Sequence, residues 1–266
     1  MEDDGTRDLE RVTDAAGQLF WYHSIDLGGF VTPGEKTQAT LDEEWRALGV
    51  PDLRDRSVLD IGAWDGYFSF RAEREGAARV VALDHYAWST RLREQQAYYR
   101  RSLETDEPYA APHLVPSLWD PVALPGRAAF DLARERLGSQ VEAVVADFER
   151  DDLSGIGTFD VVFFVGVLYH LEDPMSALRR VAALADEVAI VRTVAMEVPG
   201  VSTPLWEFYP TTELAGDASN WWAPNCCALE GALRACGFRT CIVRSPVPAP
   251  SSELQRYLLT MQAWKT

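Results

Sequence analysis

The sequence predicts an α/β fold, with a doubly wound and mostly parallel sheet of seven strands and helices on both faces. Two observations predict it. From residue 58 onward, short runs of β-forming residues alternate with amphipathic helical segments, which is typical of β-α-β connections. The first four predicted strands also lead into acidic, glycine or aromatic residues, as expected where ligands bind at the carboxyl ends of parallel strands. At 266 residues, the chain is long enough for one such domain with additions.

Residues 1–50 are predicted to form a helical extension that caps the domain of residues 51–266. The chain starts with a polar, acidic lead that becomes helical. An aromatic loop containing proline and glycine follows at residues 21–34. A helix is then expected from Gln38 to Leu48, because apolar side chains recur at helical spacing and glycine comes directly after them.

The most informative segment is the first strand of the sheet and the turn after it. Gly62 and Gly66 allow the backbone to come close to a ligand, since no Cβ is in the way. Asp60 would repel a phosphate and suits an amino or hydroxyl group, whereas a dinucleotide loop would favour a third glycine and no acid here. The implied ligand is a nucleoside with a charged amine, and we expect S-adenosylmethionine. The residues predicted to hold it in this turn are Asp60, Gly62, Ala63, Trp64 and Gly66.

The ends of the next three strands suit the other parts of the same ligand. Asp84 comes about one β-α-β step after the glycine turn, where a ribose diol would lie. Asp147 would accept a hydrogen bond from the adenine amino group while Phe148 covers the base. The alternative for each acid, taken singly, is to stabilise its own loop. The cofactor residues predicted from these strand ends are Asp84, His85, Asp147, Phe148 and Gly166.

Two long insertions interrupt the alternation of strands and helices, at about residues 85–125 and 197–224. Insertions of this length in compact domains are usually functional or disordered, and their many aromatic residues argue against disorder. We therefore expect a lid or the wall of a substrate pocket, with a packing appendage as the alternative. Of the adjacent tryptophans in the second insertion, at least one is expected to face a cavity. The substrate-binding residues predicted here are His113, Trp119, Trp206, Tyr209, Trp221 and Trp222.

The catalytic candidates are His170, Tyr169 and His23. His170 follows the fourth strand, where a methyl group would be presented, and imidazole titrates in the range that a general base needs. Its alternative is to cap the next helix or to bond a backbone carbonyl. Tyr169 would shape the surroundings of the methyl group. His23 would fold over the cofactor or act on the acceptor, with structural packing as an equal alternative.

With these strand ends, the chain resembles the class I S-adenosylmethionine-dependent methyltransferases over roughly residues 50–245. It is most similar to the tRNA wobble-uridine methyltransferase-like group, in the Trp-Tyr-His-Ser-Ile-Asp-Leu segment that starts at Trp21 and in the Gly-Val-Leu-Tyr-His-Leu segment that starts at Gly166. The resemblance implies a Rossmann-like sheet, methyl transfer and cofactor contacts from Trp21 and Tyr22. Trp64 departs from the family pattern, since many members have glycine there.

The resemblance also suggests a second possible reaction, the transfer of a carboxymethyl group. The wobble-uridine relatives transfer a carboxymethyl group from a carboxylated cofactor, whose carboxylate they hold with a cation and a tyrosine. Tyr169 matches the motif position of that tyrosine, and Arg256 lies where a C-terminal arginine is expected as a further substrate-binding residue. The relatives' N-terminal lysine has no clear counterpart in this sequence, although Lys36 lies near the expected position. Ordinary methyl transfer is therefore favoured.

Charge and composition limit the kinds of binding partner, cellular location and metal site that we expect. The net charge of −16 at pH 7 disfavours a nucleic acid, although one predicted helix is rich in arginine. No apolar run is long enough to span a membrane, and the acidic start does not predict a signal peptide, so we expect a cytoplasmic protein. Four cysteines match no zinc-binding spacing, so we expect reduced thiols and no metal. They are Cys226, Cys227, Cys236 and Cys241.

Three functions from different classes remain open. The favoured one is a methyltransferase acting on a small-molecule acceptor, by O-methylation of a secondary metabolite, with C- or N-methylation left open. The alternatives are a tRNA wobble-uridine methyl or carboxymethyl transferase and a non-catalytic nucleoside-binding scaffold. A basic groove would favour the tRNA enzyme, and a deep cavity with aromatic walls would oppose it. A homodimer is also left open.

Overall fold

The computed structural model describes residues 11–105, 107, 109–245, 247 and 253–266. The predicted polar lead over residues 1–10 lies outside this range. The strands are β1 (Ser57–Ile61), β2 (Arg79–Asp84), β3 (Glu142–Val145), β4 (Phe159–Val165), β5 (Ala185–Glu197), β6 (Trp206–Phe208), β7 (Trp222–Pro224), β8 (Thr240–Val243) and β9 (Gln255–Trp264). The helices are α1 (residues 11–17), α2 (Gln38–Leu48), α3 (Tyr67–Arg74), α4 (Tyr86–Ser89), α5 (Leu92–Thr105), α6 (Ala128–Leu137), α7 (Pro174–Leu184) and α8 (Cys226–Ala235).

Seven of these strands form one sheet in the spatial order β3-β2-β1-β4-β5-β9-β8. Strands β1 to β5 pair in parallel, and β9 runs antiparallel to both β5 and β8. This confirms the predicted doubly wound, mostly parallel sheet. The order reverses at β1 and β4, so the carboxyl ends of these two strands flank the crevice in which such sheets bind ligands.

Both faces of the sheet are covered, because successive residues of its strands enter different cores. Leu59 and Phe164 lie in a core that also takes Leu178 of α7 and Leu229 of α8. Val58 and Phe163 lie in the opposite core, which also takes residues of α2, α3 and α6. The N-terminal part belongs to this second core, through Val12, Ala16, Trp21 and Leu41. It is therefore packed as part of the domain.

Local signals explain where the helices begin and end. The Thr37 hydroxyl accepts a hydrogen bond from Thr40 N–H at 3.2 Å before α2, and Gly49 ends α2 in the left-handed conformation. The predicted helix from Gln38 to Leu48 is confirmed. Asp173 caps α7 in the same way, by accepting from Ser176 N–H at 2.9 Å. Among the helices of the described ranges, none is both long and apolar enough to cross a membrane.

Strand β5 and the two insertions add detail to the sequence prediction. Strand β5 continues to Glu197, beyond the β-forming run at residues 188–191, because β9 pairs with it from Val188 to Glu197. The second insertion contains a short hairpin of β6 and β7, in which Trp206 pairs with Pro224. The first insertion is largely helical and contains α4 and α5.

Candidate active site

The turn between β1 and α3 presents bare backbone. Gly62 and Gly66 have φ angles of 78° and 88°, which side chains rarely adopt. A Cβ on Gly62 would lie 2.5 Å from Val167 Cγ2, and one on Gly66 would lie 2.5 Å from the ring of Phe70. Both positions therefore require glycine. Trp64 lies between them with a φ of 55°, and its indole N–H is buried without a hydrogen-bond partner among the described residues.

Replacing Gly66 by alanine is expected to destabilise the protein by about 2–5 kcal/mol. The left-handed backbone costs a residue with a Cβ about 1–2 kcal/mol, and overpacking against Phe70 and Phe130 adds about 1–3 kcal/mol. Urea unfolding would measure the loss. Gly138→Ala is the matched control, because Gly138 has a φ of 59° but a Cβ there would meet nothing within 4 Å among the described residues. Equal losses in both variants would show that crowding at Gly66 is unimportant.

Asp84 holds the glycine turn from the end of β2. One carboxylate oxygen accepts from Trp64 N–H at 2.9 Å, and the other accepts from Ala87 N–H at 2.9 Å. The residue is only 5 % exposed. Burial raises the pKa of Asp84 to about 6, although these backbone hydrogen bonds act in the opposite direction. Since each carboxylate oxygen can accept two hydrogen bonds, Asp84 retains acceptor positions for a ligand.

Asp60 is a second buried carboxylate beside the same turn. It is 2 % exposed and accepts from the Ser69 hydroxyl at 2.6 Å. Burial raises the pKa of Asp60 to about 6, with Asp84 acting in the same direction and His23 and Ser69 against it. Two neighbouring carboxyls with raised pKa values are typical of a site that receives a cation or hydroxyl donors.

The segment Tyr22–His23 is fastened to the turn by Asp65, which the sequence analysis did not single out. The buried Asp65 carboxylate accepts from Tyr22 N–H at 2.9 Å and from His23 N–H at 2.8 Å, and it also bonds His23 Nδ1. The His23 ring stacks on Tyr67 and meets Phe68 edge-on. His23 is therefore buried and held in place by Asp65, as the packing alternative expects, and its catalytic role stays a prediction. An extra acid directly before Gly66 was the signal in the sequence.

The N-terminal aromatic residues divide between the turn and the core. The Tyr22 ring stacks on Trp64, with ring centres 4.5 Å apart. Trp21 is instead buried in the core, where its indole N–H donates to Ala16 O at 2.9 Å, and its cofactor contact stays a prediction. Lys36 lies 4.9 Å from the centre of the Tyr22 ring and pairs with Glu44 at 3.0 Å.

At the end of β3, the side chains turn inward or onto their own loop. Asp147 accepts from the N–H groups of Glu149 and Arg150, at 2.9 and 3.3 Å, which is the loop-stabilising alternative. Phe148 is 7 % exposed and packs against Phe164, with ring centres 5.4 Å apart. Its ring packs into the core, and its role in covering a base stays a prediction.

The exit from β4 brings together Gly166, Tyr169 and His170. Gly166 has a φ of 77°, and among the described residues a Cβ there would meet only the Tyr169 hydroxyl, at 3.9 Å. The rings of Tyr169 and His170 are 4.1 Å apart. His170 Nδ1 lies 3.0 Å from the carbonyl oxygen of Ser219, in the second insertion. Burial lowers the pKa of His170, against the opposing effects of Asp217 and Ser219.

Both insertions reach this region. Trp221 N–H donates to Tyr169 O at 2.7 Å, which ties the second insertion to the β4 exit. The Tyr99 hydroxyl of α5 donates to Ala215 O, so the two insertions are in contact. His113 and Trp119 pack around Tyr86 within the first insertion, and Trp119 also meets His85 edge-on.

Trp206, Tyr209 and Arg256 all have partners within the fold. Trp206 packs against the main core. The buried Tyr209 hydroxyl donates to Glu207 at 2.7 Å and accepts from Arg256 Nε at 3.0 Å. Arg256 also forms an ion pair with Glu207, which offsets its charge. The substrate contacts expected of these three residues stay predictions. Trp221 and Trp222 are both partly exposed. The ring of Trp221 stacks on Phe208, and the ring of Trp222 lies tilted against it.

Comparisons with known proteins agree with this arrangement. A family model described as a methyltransferase domain matches residues 34–248. A tRNA U34 carboxymethyltransferase of Histophilus somni (strain 129Pt) is 25 % identical over 208 residues, covering 74 % of this chain and 52 % of the relative. The corresponding enzyme of Shewanella frigidimarina (strain NCIMB 400) is 24 % identical over 207 residues, covering 74 % of this chain and 51 % of the relative. The chain thus spans about half the length of these relatives.

Solved structures share the fold at low sequence identity. The N-terminal domain of EvdMO1, crystallised in the presence of SAH and D-fucose, has a TM-score of 0.59 at 16 % identity, covering 97 % of this chain and 96 % of that chain. The cyclase SpnF has a TM-score of 0.50 at 15 % identity, covering 89 % and 72 %. These likenesses establish the fold alone. Since the family model covers most of the chain, the protein belongs to the methyltransferase-domain family.

Proposed function

We propose that this chain methylates a hydroxyl group of a small-molecule acceptor. The observation that carries the proposal is the bond between His170 Nδ1 and the carbonyl oxygen of Ser219, 3.0 Å away. A carbonyl oxygen can only accept, so the proton of the neutral ring belongs to Nδ1 and Nε2 keeps a free lone pair. A neutral imidazole in this tautomer is suited to take the proton of a hydroxyl nucleophile. A carbon acceptor that is already activated would not need it.

The residues at the strand ends fit the cofactor. When bound, S-adenosylmethionine supplies an electrophilic methyl group on a positively charged sulfur. At Gly62, the backbone of the glycine turn would come close to the cofactor. This position has no room for a Cβ, which would already meet Val167. Asp84 would accept from the ribose hydroxyls, and Asp60 would offset the charge of the amino end. Tyr169, beside His170, would border the methyl group and help to exclude water.

Charge favours a small molecule over tRNA as acceptor. Three arginines near α5, in the main basic cluster of the sequence, have partners in the fold. Arg91 pairs with Asp120 at 3.1 Å, Arg93 donates to Gln18 O at 2.7 Å, and Arg100 lies 3.9 Å from Glu35. With a net charge of −16, the average field of the protein would repel a phosphate backbone. The names of the curated relatives favour tRNA, which therefore remains the competing acceptor.

Calorimetric titration and an acceptor screen test the proposal. The protein would be titrated with S-adenosylmethionine and S-adenosylhomocysteine, with NAD as the control ligand. Production of S-adenosylhomocysteine would then be measured with a panel of phenols, catechols and sugars, and with unmodified tRNA transcripts. We expect binding of the adenosyl ligands alone, and turnover with a hydroxyl compound. Turnover with tRNA and with none of the small molecules would overturn the proposed acceptor class.

The affinity for S-adenosylmethionine is expected to fall as the pH drops below about 6. Asp60 and Asp84 have pKa values raised to about 6 in the free protein, while the cofactor's cation and hydroxyls favour their ionised forms. Binding must therefore displace any proton they carry, at a cost of up to about tenfold in affinity per pH unit for each group. Calorimetry between about pH 5 and 8 would measure this.

The folding stability of the free protein gives the control, because its pH dependence has the opposite sign to that of the cofactor affinity. A buried carboxyl with a raised pKa favours the folded state while it is protonated, so this contribution is lost as the pH rises through about 6. Asp60→Asn should remove part of both dependences. Affinity that is constant, or higher in acid, would contradict the assignment of these two carboxyls to the cofactor.

A further inference from the structure

We propose that Asp217 and Ser219 are positioning residues for His170, so that the second insertion completes the catalytic group as well as covering it. The inference rests on the proposed function, since it takes His170 as the group that removes a proton from the acceptor. None of the sequence motifs pointed to Asp217 or Ser219, and they lie 47 and 49 residues after His170 in the chain.

A hydrogen-bonded chain joins the imidazole to the carboxylate. The Ser219 hydroxyl oxygen lies 3.1 Å from His170 Nδ1 and 2.8 Å from Asp217 Oδ1. Because the carbonyl oxygen of Ser219 also lies 3.0 Å from Nδ1, the proton is on Nδ1, and the hydroxyl accepts there. The single proton of the hydroxyl is then free to donate to Asp217. All the bonds point in one direction, from His170 through Ser219 to Asp217.

The carboxylate is itself held in place. The Ser219 backbone N–H donates to Asp217 Oδ1 at 2.8 Å, and Asn220 N–H donates to the carbonyl oxygen of Asp217 at 3.2 Å. Two residues beyond Ser219, Trp221 N–H donates to Tyr169 O at 2.7 Å. The turn from Asp217 to Trp221 is thus fixed against the β4 exit, which fixes the position of the imidazole plane.

The charge of Asp217 matters when His170 becomes protonated. In the proposed step, the acceptor's hydroxyl proton moves to His170 Nε2, its oxygen forms a bond to the methyl carbon, and the electron pair of the broken carbon–sulfur bond stays on sulfur. The resulting imidazolium would be stabilised by Asp217 through Ser219. Asp217 also acts to raise the pKa of His170, against the effect of burial.

A purely structural role makes a different prediction. If Asp217 only stabilises its own turn, then removing its charge should change the stability of the insertion and leave the protonation of His170 unchanged. Nitrogen-15 NMR separates the two roles, because it reports the tautomer and the titration midpoint of each histidine without an acceptor. The sequence has only four histidines, and His170→Gln would identify the signal of interest.

The experiment compares Asp217→Asn with Glu213→Gln in the full chain. Glu213 is an exposed acid of the same insertion that accepts from Thr211 N–H, so its replacement removes the same charge away from His170. We expect wild-type His170 to carry its proton on Nδ1. Asp217→Asn should lower its titration midpoint by about 0.5–1 pH unit, and Glu213→Gln should leave it in place. Asp217 and Tyr169 are the titratable groups that face this imidazole from the insertion and from its own turn.

Ser219→Ala is the second variant, in case Asp217→Asn disturbs folding. It keeps the backbone carbonyl and N–H and removes only the hydroxyl, so a smaller shift in the same direction is expected. A proton on Nε2, or a midpoint unchanged in both variants, would overturn the inference. Failure of the wild-type protein to bind S-adenosylmethionine would instead overturn the proposed function. The NMR result would still show whether Asp217 and Ser219 control the protonation of His170.

Discussion

Replacing Asp84 by asparagine is expected to weaken S-adenosylmethionine binding by about 100-fold or more. The carboxylate is buried at the end of β2, with both oxygens already oriented by the N–H groups of Trp64 and Ala87. Hydrogen bonds from ribose hydroxyls to a charged acceptor contribute about 1.5–3 kcal/mol each, and a diol makes two. The amide would lose the charge and would also turn a donor toward one of the two backbone N–H groups. Calorimetric titration at a pH above 7 would measure the loss.

Two comparisons make the Asp84 result interpretable. Asp131→Asn, on the exposed side of α6, removes one negative charge away from the turn and should leave the affinity unchanged. Thermal unfolding of Asp84→Asn would show whether the glycine turn still forms. An affinity equal to that of the wild type would remove Asp84 from the cofactor site.

Replacing His170 by alanine is expected to lower kcat by about 10²–10⁴-fold, with the affinity for S-adenosylmethionine kept within about threefold. General-base catalysis contributes a factor of this size where a hydroxyl must lose its proton. The cofactor contacts assigned to Asp84 and the glycine turn do not involve His170, so binding and turnover should separate. Initial rates with the best hydroxyl acceptor from the screen would give kcat, and calorimetry would give the affinity.

Chemical rescue distinguishes a base from a structural histidine. Added imidazole should restore part of the turnover of His170→Ala, because the cavity left by the side chain can accept a free base. The pH profile of the rescued enzyme should follow the pKa of the added base. Wild-type turnover in His170→Ala would leave His170 as a structural residue that only bonds the Ser219 carbonyl.

The fold could be predicted from the sequence because its signals are local. The helix from Gln38 to Leu48 has a threonine cap before it, apolar residues at helical spacing, and a glycine after it. The parallel strands are short runs of β-forming residues, and Asp84 stands at the end of one of them. The length of β5 could not be predicted in the same way, because residues 193–197 extend beyond its pairing with β4 and pair with β9, which lies about 60 residues later in the chain.

The surroundings of several candidate residues depend on contacts between distant parts of the chain. An aromatic residue in an insertion is compatible with a pocket wall, and the sequence does not reveal the pairing of Tyr209 with Glu207 and Arg256. Phe148 likewise has the right position for covering a base, but its ring turns toward Phe164. Asp65 and Asp217 were missed because the histidines that they influence, His23 and His170, lie more than 40 residues before them in the chain.

The bonds of Asp65 make the N-terminal segment and the glycine turn one thermodynamic unit. Because Tyr22, His23 and the turn share this buried carboxylate, undocking the segment would strand a charge beside the cofactor. Thermodynamic linkage is reciprocal. If docking of the segment raises the affinity for the cofactor, then cofactor binding stabilises the docked segment by the same free energy. Backbone amides near residue 22 should therefore exchange their hydrogens more slowly once S-adenosylmethionine is bound, even though Trp21 itself is buried in the core.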